Sequence, residues 1–220
     1  RYTECKLSKA GEEMLMNIKK DAVDWQLAYT DEEKEPVYLP GNIPNLLVNG
    51  TTGIAVAMAC SFAPHNMNEI MDAIIAVLNN PDVEVKELLN YITGPDFPTG
   101  GLIINKNDLP SIVKTGRGSV KLRGQYKMED NNIVFYEIPY GVATEALMTQ
   151  IGEACDNGTI TGIENIRNES NRKGYRLVIE CEKGASPARV LTLLFANTDL
   201  QVSISYNQVA LVDKVPTELT

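Results

Sequence analysis

The cations between residues 101 and 127 are the first group of side chains with chemistry in them. Lys106, Lys114, Arg117, Lys121, Arg123 and Lys127 stand there against Asp108 alone, in a chain whose formal net charge is −9. Lys121 and Arg123 are two residues apart, so on a strand they share a face. That spacing suits contact with adjacent phosphates, and an ordinary solvated sheet face would show it too. The second group lies in Ile43–Asn66, IPNLLVNGTTGIAVAMACSFAPHN, which is almost uncharged. A buried strand has no use for Asn45, Asn49, Gly50, Thr51, Thr52 and Gly53 so close together. Backbone that approaches another surface does, because glycine removes the Cβ and short polar side chains can donate to that surface.

Other chemistry is thinly represented. His65 is the only histidine, at the entrance of an expected helix, which favours a structural hydrogen bond over a Ser-His-Asp arrangement or a metal dyad. Cys5, Cys60, Cys155 and Cys181 form no CxxC pair, as expected of free thiols in a reducing compartment. The acidic run Thr30–Glu35 reads as a solvated turn and not as a cation site, so no metal site is expected. Neither GxGxxG nor GxxxxGK[ST] occurs, so no nucleotide-binding loop is expected. Tyr2 is one of nine tyrosines, and from residue type alone it is a packing side chain.

With 220 residues and 44% hydrophobic content, the chain has enough apolar material for a substantial core. No apolar run is long enough to span a bilayer and the start does not resemble a signal peptide, so a cytoplasmic protein is expected. The acidity is uneven. Residues 1–100 hold 7 Lys/Arg against 15 Asp/Glu, and residues 101–220 hold 13 against 14. A local basic stripe is what phosphate contact requires, and the overall charge averages it away.

The elements that position these groups follow from periodicity. Residues 1–7 alternate as a short strand, and Ser8 caps a helix to about Lys19 with Met14, Leu15 and Ile18 inward. Asp21–Tyr29 reads as a half-buried strand with Val23, Trp25, Leu27 and Tyr29 on its inner face. Asn66 and Glu69 form a capping box for a helix over Met67–Leu78. A further helix starts at Asp82, using Val85, Leu88, Leu89 and Ile92. GPDFPTGG turns into a strand at Leu102–Asn105, and a short helix covers Asn107–Thr115. One long strand, Gly116–Met128, carries the basic stripe into a hairpin with Ile133–Ile138. Helices at Val142–Cys155 and Ser186–Asn197 then alternate with strands at Ile163–Asn168, Tyr175–Cys181 and Leu200–Leu211. The pattern predicts an α+β fold with packed helices on mixed or antiparallel sheet.

Several motifs in this order resemble one family. IPNLLVNG-x-x-GIAV-x-MA followed by PHN, with RYTE at Arg1–Glu4, GPDFPTGG at Gly94–Gly101, TGRG at Thr115–Gly118, EIPY at Glu137–Tyr140 and LQVS at Leu200–Ser203, is similar to the breakage–reunion (A) subunit of bacterial type IIA topoisomerases. The matches span nearly the whole chain. The resemblance implies residues 1–35 as the end of a winged-helix domain and 36–220 as a tower domain. It implies that Tyr2 attacks a DNA phosphodiester, with Arg1 stabilising charge on the phosphoryl oxygens. A phenol, with a pKa near ~10, forms an ester whose reversal is not strongly uphill. It also implies that Ile54 wedges between base pairs, where the residue pattern alone leaves a buried core isoleucine as the alternative. The implied partners are double-stranded DNA, a B subunit, plus a second A subunit, in an A2B2 assembly. Mg²⁺ and ATP are implied on the B subunit, not on these residues.

The chain departs from the family pattern at Ala57, where glycine is usual, at Cys60, where threonine is common, and at Ala63, where PPHN has its first proline. After EIPY, Gly141–Glu145 lacks the usual basic residue. The helix-turn-helix and coiled coil of the family are not within these 220 residues, which implies a piece inactive in cleavage. A non-catalytic DNA-binding or scaffolding module is the alternative reading.

Overall fold

The computed structural model describes residues 4–219. The expected strand over residues 1–7 begins outside the described residues, and Glu4–Leu7 form no element. In chain order the elements open with α1 (Lys9–Met14), β1 (Trp25–Leu27), β2 (Lys34–Pro36) and α2 (Asn45–Asn49). Strands β3 (Thr51–Ala55) and β4 (Met58–Phe62), helices α3 (Met67–Asn79) and α4 (Val85–Leu88), and strand β5 (Leu102–Ile103) follow. Then come a 3-10 turn, α5 (Leu109–Thr115), β6 (Arg117–Arg123), β7 (Gln125–Glu129), β8 (Asn132–Glu137) and α6 (Thr144–Asp156). The chain continues through β9 (Ile163–Asn168), β10 (Leu177–Cys181), α7 (Pro187–Asn197), β11 (Gln201–Asn207), β12 (Val209–Val212) and β13 (Val215–Glu218). No helix among the described residues is long and apolar enough to cross a membrane.

Two sheets organise the molecule, in the orders β3-β4-β11-β6-β5 and β7-β8-β10-β9. Every strand pairing among the described residues is antiparallel, so the fold is α+β as expected, on its antiparallel side. Each sheet has its own core. Ile133, Phe135, Leu177 and Ile179 of the four-stranded sheet pack with Leu147 and Ile151 of α6 and Leu194 of α7. Val120, Leu122 and Tyr206 of the five-stranded sheet pack with Phe97, Leu109 and Ile112.

The expected single strand over Gly116–Met128 is instead two strands in two sheets. Gly124 is the reason. Its amide donates to Leu200 O at 2.8 Å, and a Cβ there would lie 2.8 Å from Glu137 O. The strand therefore leaves one sheet at Arg123 and enters the other at Gln125. Two of the singled-out motifs brace this junction. Glu137 of EIPY accepts from Gly101 N of GPDFPTGG and from Gln125 Nε2, each at 2.6 Å. Phe97 and Tyr140 stack with ring centroids 5.6 Å apart.

Several expectations at the N-terminal end are corrected. Trp25 is 43% and Tyr29 103% exposed, because among the described residues β1 pairs only with β2, in a two-stranded hairpin apart from both cores; of that face only Val23 is buried. Residues 28–33 link the two strands, so Lys34 and Glu35 of the expected acidic loop belong to β2. α1 has its Ser8 cap, which accepts from Gly11 N at 3.2 Å, but it ends at Met14, before Asn17 takes φ 68°. Asn66 caps α3 through Asn68 N at 2.9 Å. Glu69 does not complete a capping box; its carboxylate accepts from Thr93 N and Oγ1, both at 3.0 Å. α4 is a single turn, because i→i+3 bonds at Asn90 and Tyr91 tighten the backbone after it.

Candidate nucleic-acid interface

The Ile43–Asn66 stretch folds as a short helix and a protruding hairpin. Gly50 ends α2 at φ 65° and ψ 178°, and a Cβ there would meet the backbone of Phe62, Ala63 and Pro64. Its glycine thus serves close approach within the chain. Gly53 differs, since among the described residues nothing lies within 4 Å of where its Cβ would be. β3 and β4 pair from Thr51↔Phe62 to Ala55↔Met58, leaving Val56 and Ala57 as a two-residue turn. Ala57 holds φ 65° there, the left-handed conformation that a glycine adopts without a Cβ clash. Ile54 is 94% and Val56 96% exposed, so the core-isoleucine alternative is not what the fold adopts.

Register places the candidate residues by face, because directly paired residues of an antiparallel sheet project to the same side. Thr52 pairs with Ser61, and Ile54 with Ala59. Ser61 pairs with Asn207, and Asn207 with Arg117. Along β6 and β11 the pairs continue as Ser119 with Ser205, Lys121 with Ser203 and Arg123 with Gln201. The other face of these strands carries Val120 and Leu122 into the core. Ile54, Thr52, Arg117, Lys121 and Arg123 are therefore brought to one solvent face of one sheet. Thr51 points to the opposite face with Phe62. Asn45 and Asn49 lie on α2, where Asn49 Nδ2 donates to Asn45 Oδ1 at 2.5 Å and Asn45 Nδ2 contacts Met14 Sδ at 2.6 Å.

The three cations of the stripe are not equivalent. Arg123 is half-buried; its Nε and Nη2 donate to Gln201 Oε1 at 2.9 and 2.6 Å, and its guanidinium lies 4.3 Å from the centroid of the Phe195 ring. Arg117 forms an exposed ion pair with Glu218. Lys121 is exposed and enters no salt bridge among the described residues. Its own backbone amide donates to Asn105 Oδ1 at 2.7 Å, and Asn105 Nδ2 donates to Ser119 O at 2.9 Å. The Asn105 side chain thus continues the edge of β6 beyond the short β5.

Sequence reasoning missed the neutral part of this face: Ser61, Ser119, Ser203, Ser205 and Asn207. The signal was present, since Ser203-Ile204-Ser205-Tyr206-Asn207 alternates polar and apolar with the period of a strand. Ser61 Oγ donates to Ser205 O and Asn207 Nδ2 to Ala59 O, both at 2.6 Å, which ties the hairpin to β11 although those strands share a single register position. His65 stands behind the hairpin as a structural residue, with Nδ1 3.0 Å from Leu47 O and burial pushing its pKa down. No three His, Cys, Asp or Glu side chains gather into a cation-holding group among the described residues. Arg1 and Tyr2 lie outside the described residues.

The arrangement suits a polyanion with a stacked, wedgeable interior: a polar face with cations spaced along β6 and an unsupported isoleucine on the hairpin beside it. The family model for the A subunit of DNA gyrase/topoisomerase IV matches residues 1–220. Among curated relatives, the DNA gyrase A subunit of Ureaplasma parvum is 45% identical over 221 residues, 98% of this chain and 26% of the relative. That of Halalkalibacterium halodurans is 43% identical over 220 residues, 98% of this chain and 26% of the relative. The chloroplastic/mitochondrial DNA gyrase A subunit of Arabidopsis thaliana is 41% identical over 224 residues, 98% of this chain and 24% of the relative. The chain thus spans about a quarter of the length of the relatives it matches.

Proposed function

As the chain belongs to the A-subunit family of DNA gyrase and topoisomerase IV, we propose that it is the part of a type II DNA topoisomerase that bends and cleaves duplex DNA. The Tyr2 oxygen replaces the 3′ oxygen on a backbone phosphorus, exchanging one phosphodiester for a 5′-phosphotyrosine. The bond energy stays in that link, so religation needs no new ATP. Arg1 stabilises the phosphoryl oxygens as they become equatorial. Residues 1–35 are the end of a winged-helix domain and 36–220 the tower domain. Two A subunits cut opposite strands within an A2B2 assembly, in the cytoplasm. The B subunit holds Mg²⁺ and ATP, and no step assigned to these residues runs through either.

The observation that carries the reading is Ile54, 94% exposed on a two-stranded hairpin beyond the core. An isoleucine left in water gains burial by entering a base step, and the kink it forces costs a few kcal/mol of unstacking. The test uses the full-length A subunit in complex with its B subunit, on an end-labelled duplex read by energy transfer. Ile54→Ala is expected to reduce the bend and the cleaved fraction together while leaving the thermal midpoint in place. A duplex bent as fully by Ile54→Ala as by wild type refutes the wedge. The 220 residues alone are expected to leave no tyrosine-linked DNA after incubation with Mg²⁺ and supercoiled plasmid.

One observation favours the second reading for these residues in isolation, a non-catalytic DNA-binding or scaffolding module. Arg117 and Arg123 already have partners within the chain. Duplex binding that depends on Lys121, with no cleavage by the full-length A subunit in complex with its B subunit under any divalent cation, would select it.

A further inference from the structure

Arg117 is the cation of the stripe closest to the exposed hairpin, and it is already engaged. A cleft of about 240 Å³ is lined by Ala57, Met58 and Ala59 of the hairpin together with Arg117, Asn207 and Glu218. Within it Arg117 Nη2 pairs with Glu218 Oε1. Three backbone hydrogen bonds set this meeting. Glu218 ends β13, paired with Val209 of β12. Next to it, Leu219 N donates to Gln208 O at 2.7 Å, and Gln208 N donates to Gly116 O at 2.9 Å. Gly116 N in turn donates to Ile112 O at 2.8 Å. The residues flanking both charged side chains are thus tied to each other by main chain, so the carboxylate is delivered to the guanidinium by the fold.

We propose that Glu218 is a built-in competitor for DNA phosphate at Arg117 and so sets the affinity of this sheet face. The inference rests on the DNA-binding reading above. Exposed ion pairs contribute little to stability, and these side chains are 61% and 57% exposed, so the pair opens at small cost. A phosphate offers the guanidinium the same two-oxygen geometry as a carboxylate. Glu218 cannot move far once displaced, because β13 holds its backbone; its charge remains beside the bound phosphate. The pair consequently brings no net charge to the duplex. Only a polyanion that is also gripped elsewhere, at Lys121 and by the Ile54 hairpin, gains enough to open it. An isolated anion does not.

The test compares wild type, Glu218→Gln, Arg117→Gln and the double variant of the full-length protein, titrated with one fixed duplex across a series of salt concentrations. Glu218→Gln is expected to tighten binding several-fold at low salt and to steepen the log–log salt dependence by about 0.9, the signature of one added phosphate neutralisation. In the Arg117→Gln background the same change is expected to do neither. Equal tightening in both backgrounds overturns the proposal, because Glu218 would then act as bulk charge. No tightening in either also overturns it. Lys121→Glu separates the levels: if it still weakens binding when Glu218→Gln is silent, the DNA-binding reading stands and the competitor falls. If it too is silent, the reading itself falls. Thermal midpoints close to wild type for all variants exclude a folding effect, as the exposure of both side chains leads one to expect.

Discussion

Arg123 and Lys121 share a strand, a face and a charge, yet the fold gives them different work, and truncating each to alanine separates the two. The Arg123 guanidinium donates two hydrogen bonds to Gln201 Oε1 and covers the Phe195 ring at 4.3 Å. Hydrogen bonds from a charged group contribute roughly 1.5–3 kcal/mol, and a cation over an aromatic face adds about 0.5–1 kcal/mol. Arg123 is only half-buried, which favours the low end of both, so Arg123→Ala should cost about 2 kcal/mol. Phe195 also meets Tyr126 and Phe135, each at 6.0 Å between centroids, so the loss falls on the seam between the two sheets. With a urea m-value of roughly 2 kcal/mol/M, the midpoint should drop by about 1 M. Lys121→Ala, at an exposed site with no ion pair among the described residues, should stay within about 0.5 kcal/mol of wild type. Salt-titrated duplex binding gives the opposite ranking: Lys121→Ala reduces the slope by about 0.9 and Arg123→Ala by much less. Equal slope losses, or an Arg123→Ala protein as stable as wild type, would refute the division of labour.

Four further outcomes follow from single positions. Ala57→Gly removes a left-handed alanine that costs about 1–2 kcal/mol and adds unfolded-state freedom of about 0.4–1 kcal/mol, so a net gain of roughly 0.5–1 kcal/mol is expected in chemical denaturation. Gly50→Ala should be severely destabilising, by roughly 3 kcal/mol or more, because backbone at Phe62 and Pro64 cannot yield. Gly53→Ala should leave stability within about 1 kcal/mol, and comparing their melting curves checks both. His65 has its pKa lowered chiefly by burial, so the unfolded chain binds more protons near the ordinary histidine value. Its contribution to stability is therefore complete above about pH 6.5 and declines as pH falls toward the folded pKa. His65→Asn should flatten that part of the stability–pH profile, and an unchanged slope would contradict the burial argument.

Much of the fold could be read from the sequence because it rests on local rules. The period-two spacing of β6 put Lys121 and Arg123 on one face, opposite the Val120 and Leu122 that the fold buries, and the Asn66 cap and the helix read over Ser186–Asn197 marked α3 and α7 within a residue or two. The failures share one physical origin: local pattern does not say what an element is packed against. Trp25 alternates like a core residue, but among the described residues β1 has only β2 beside it. Glu69 has the spacing of a capping box, but Thr93 offers its carboxylate two donors instead of one. Gly124 reads as a glycine within a strand, and only the approach of Glu137 and Leu200 makes it the crossing between sheets.

The candidate site shows the same limit most sharply. Alternation states that Arg117, Lys121 and Arg123 share a face, and it assigns them equal charge and equal reach. What distinguishes them is supplied by residues far along the chain. Gln201 is 78 positions from Arg123 and Glu218 is 101 positions from Arg117. A basic stripe therefore measures the cations a strand can present, not those still available to a phosphate. The available number is set by which acids and amides the topology returns to that strand. On this sheet β11 returns Gln201 to one end and β13 returns Glu218 to the other, leaving Lys121 between them as the one of the three whose side chain has neither a hydrogen-bond nor an ion-pair partner among the described residues. The row of Ser203, Ser205 and Asn207 that β11 brings alongside offers neutral hydrogen-bonding groups in place of further positive charge. On the proposed reading, a surface built this way engages a phosphodiester backbone while the whole chain keeps its net charge of −9.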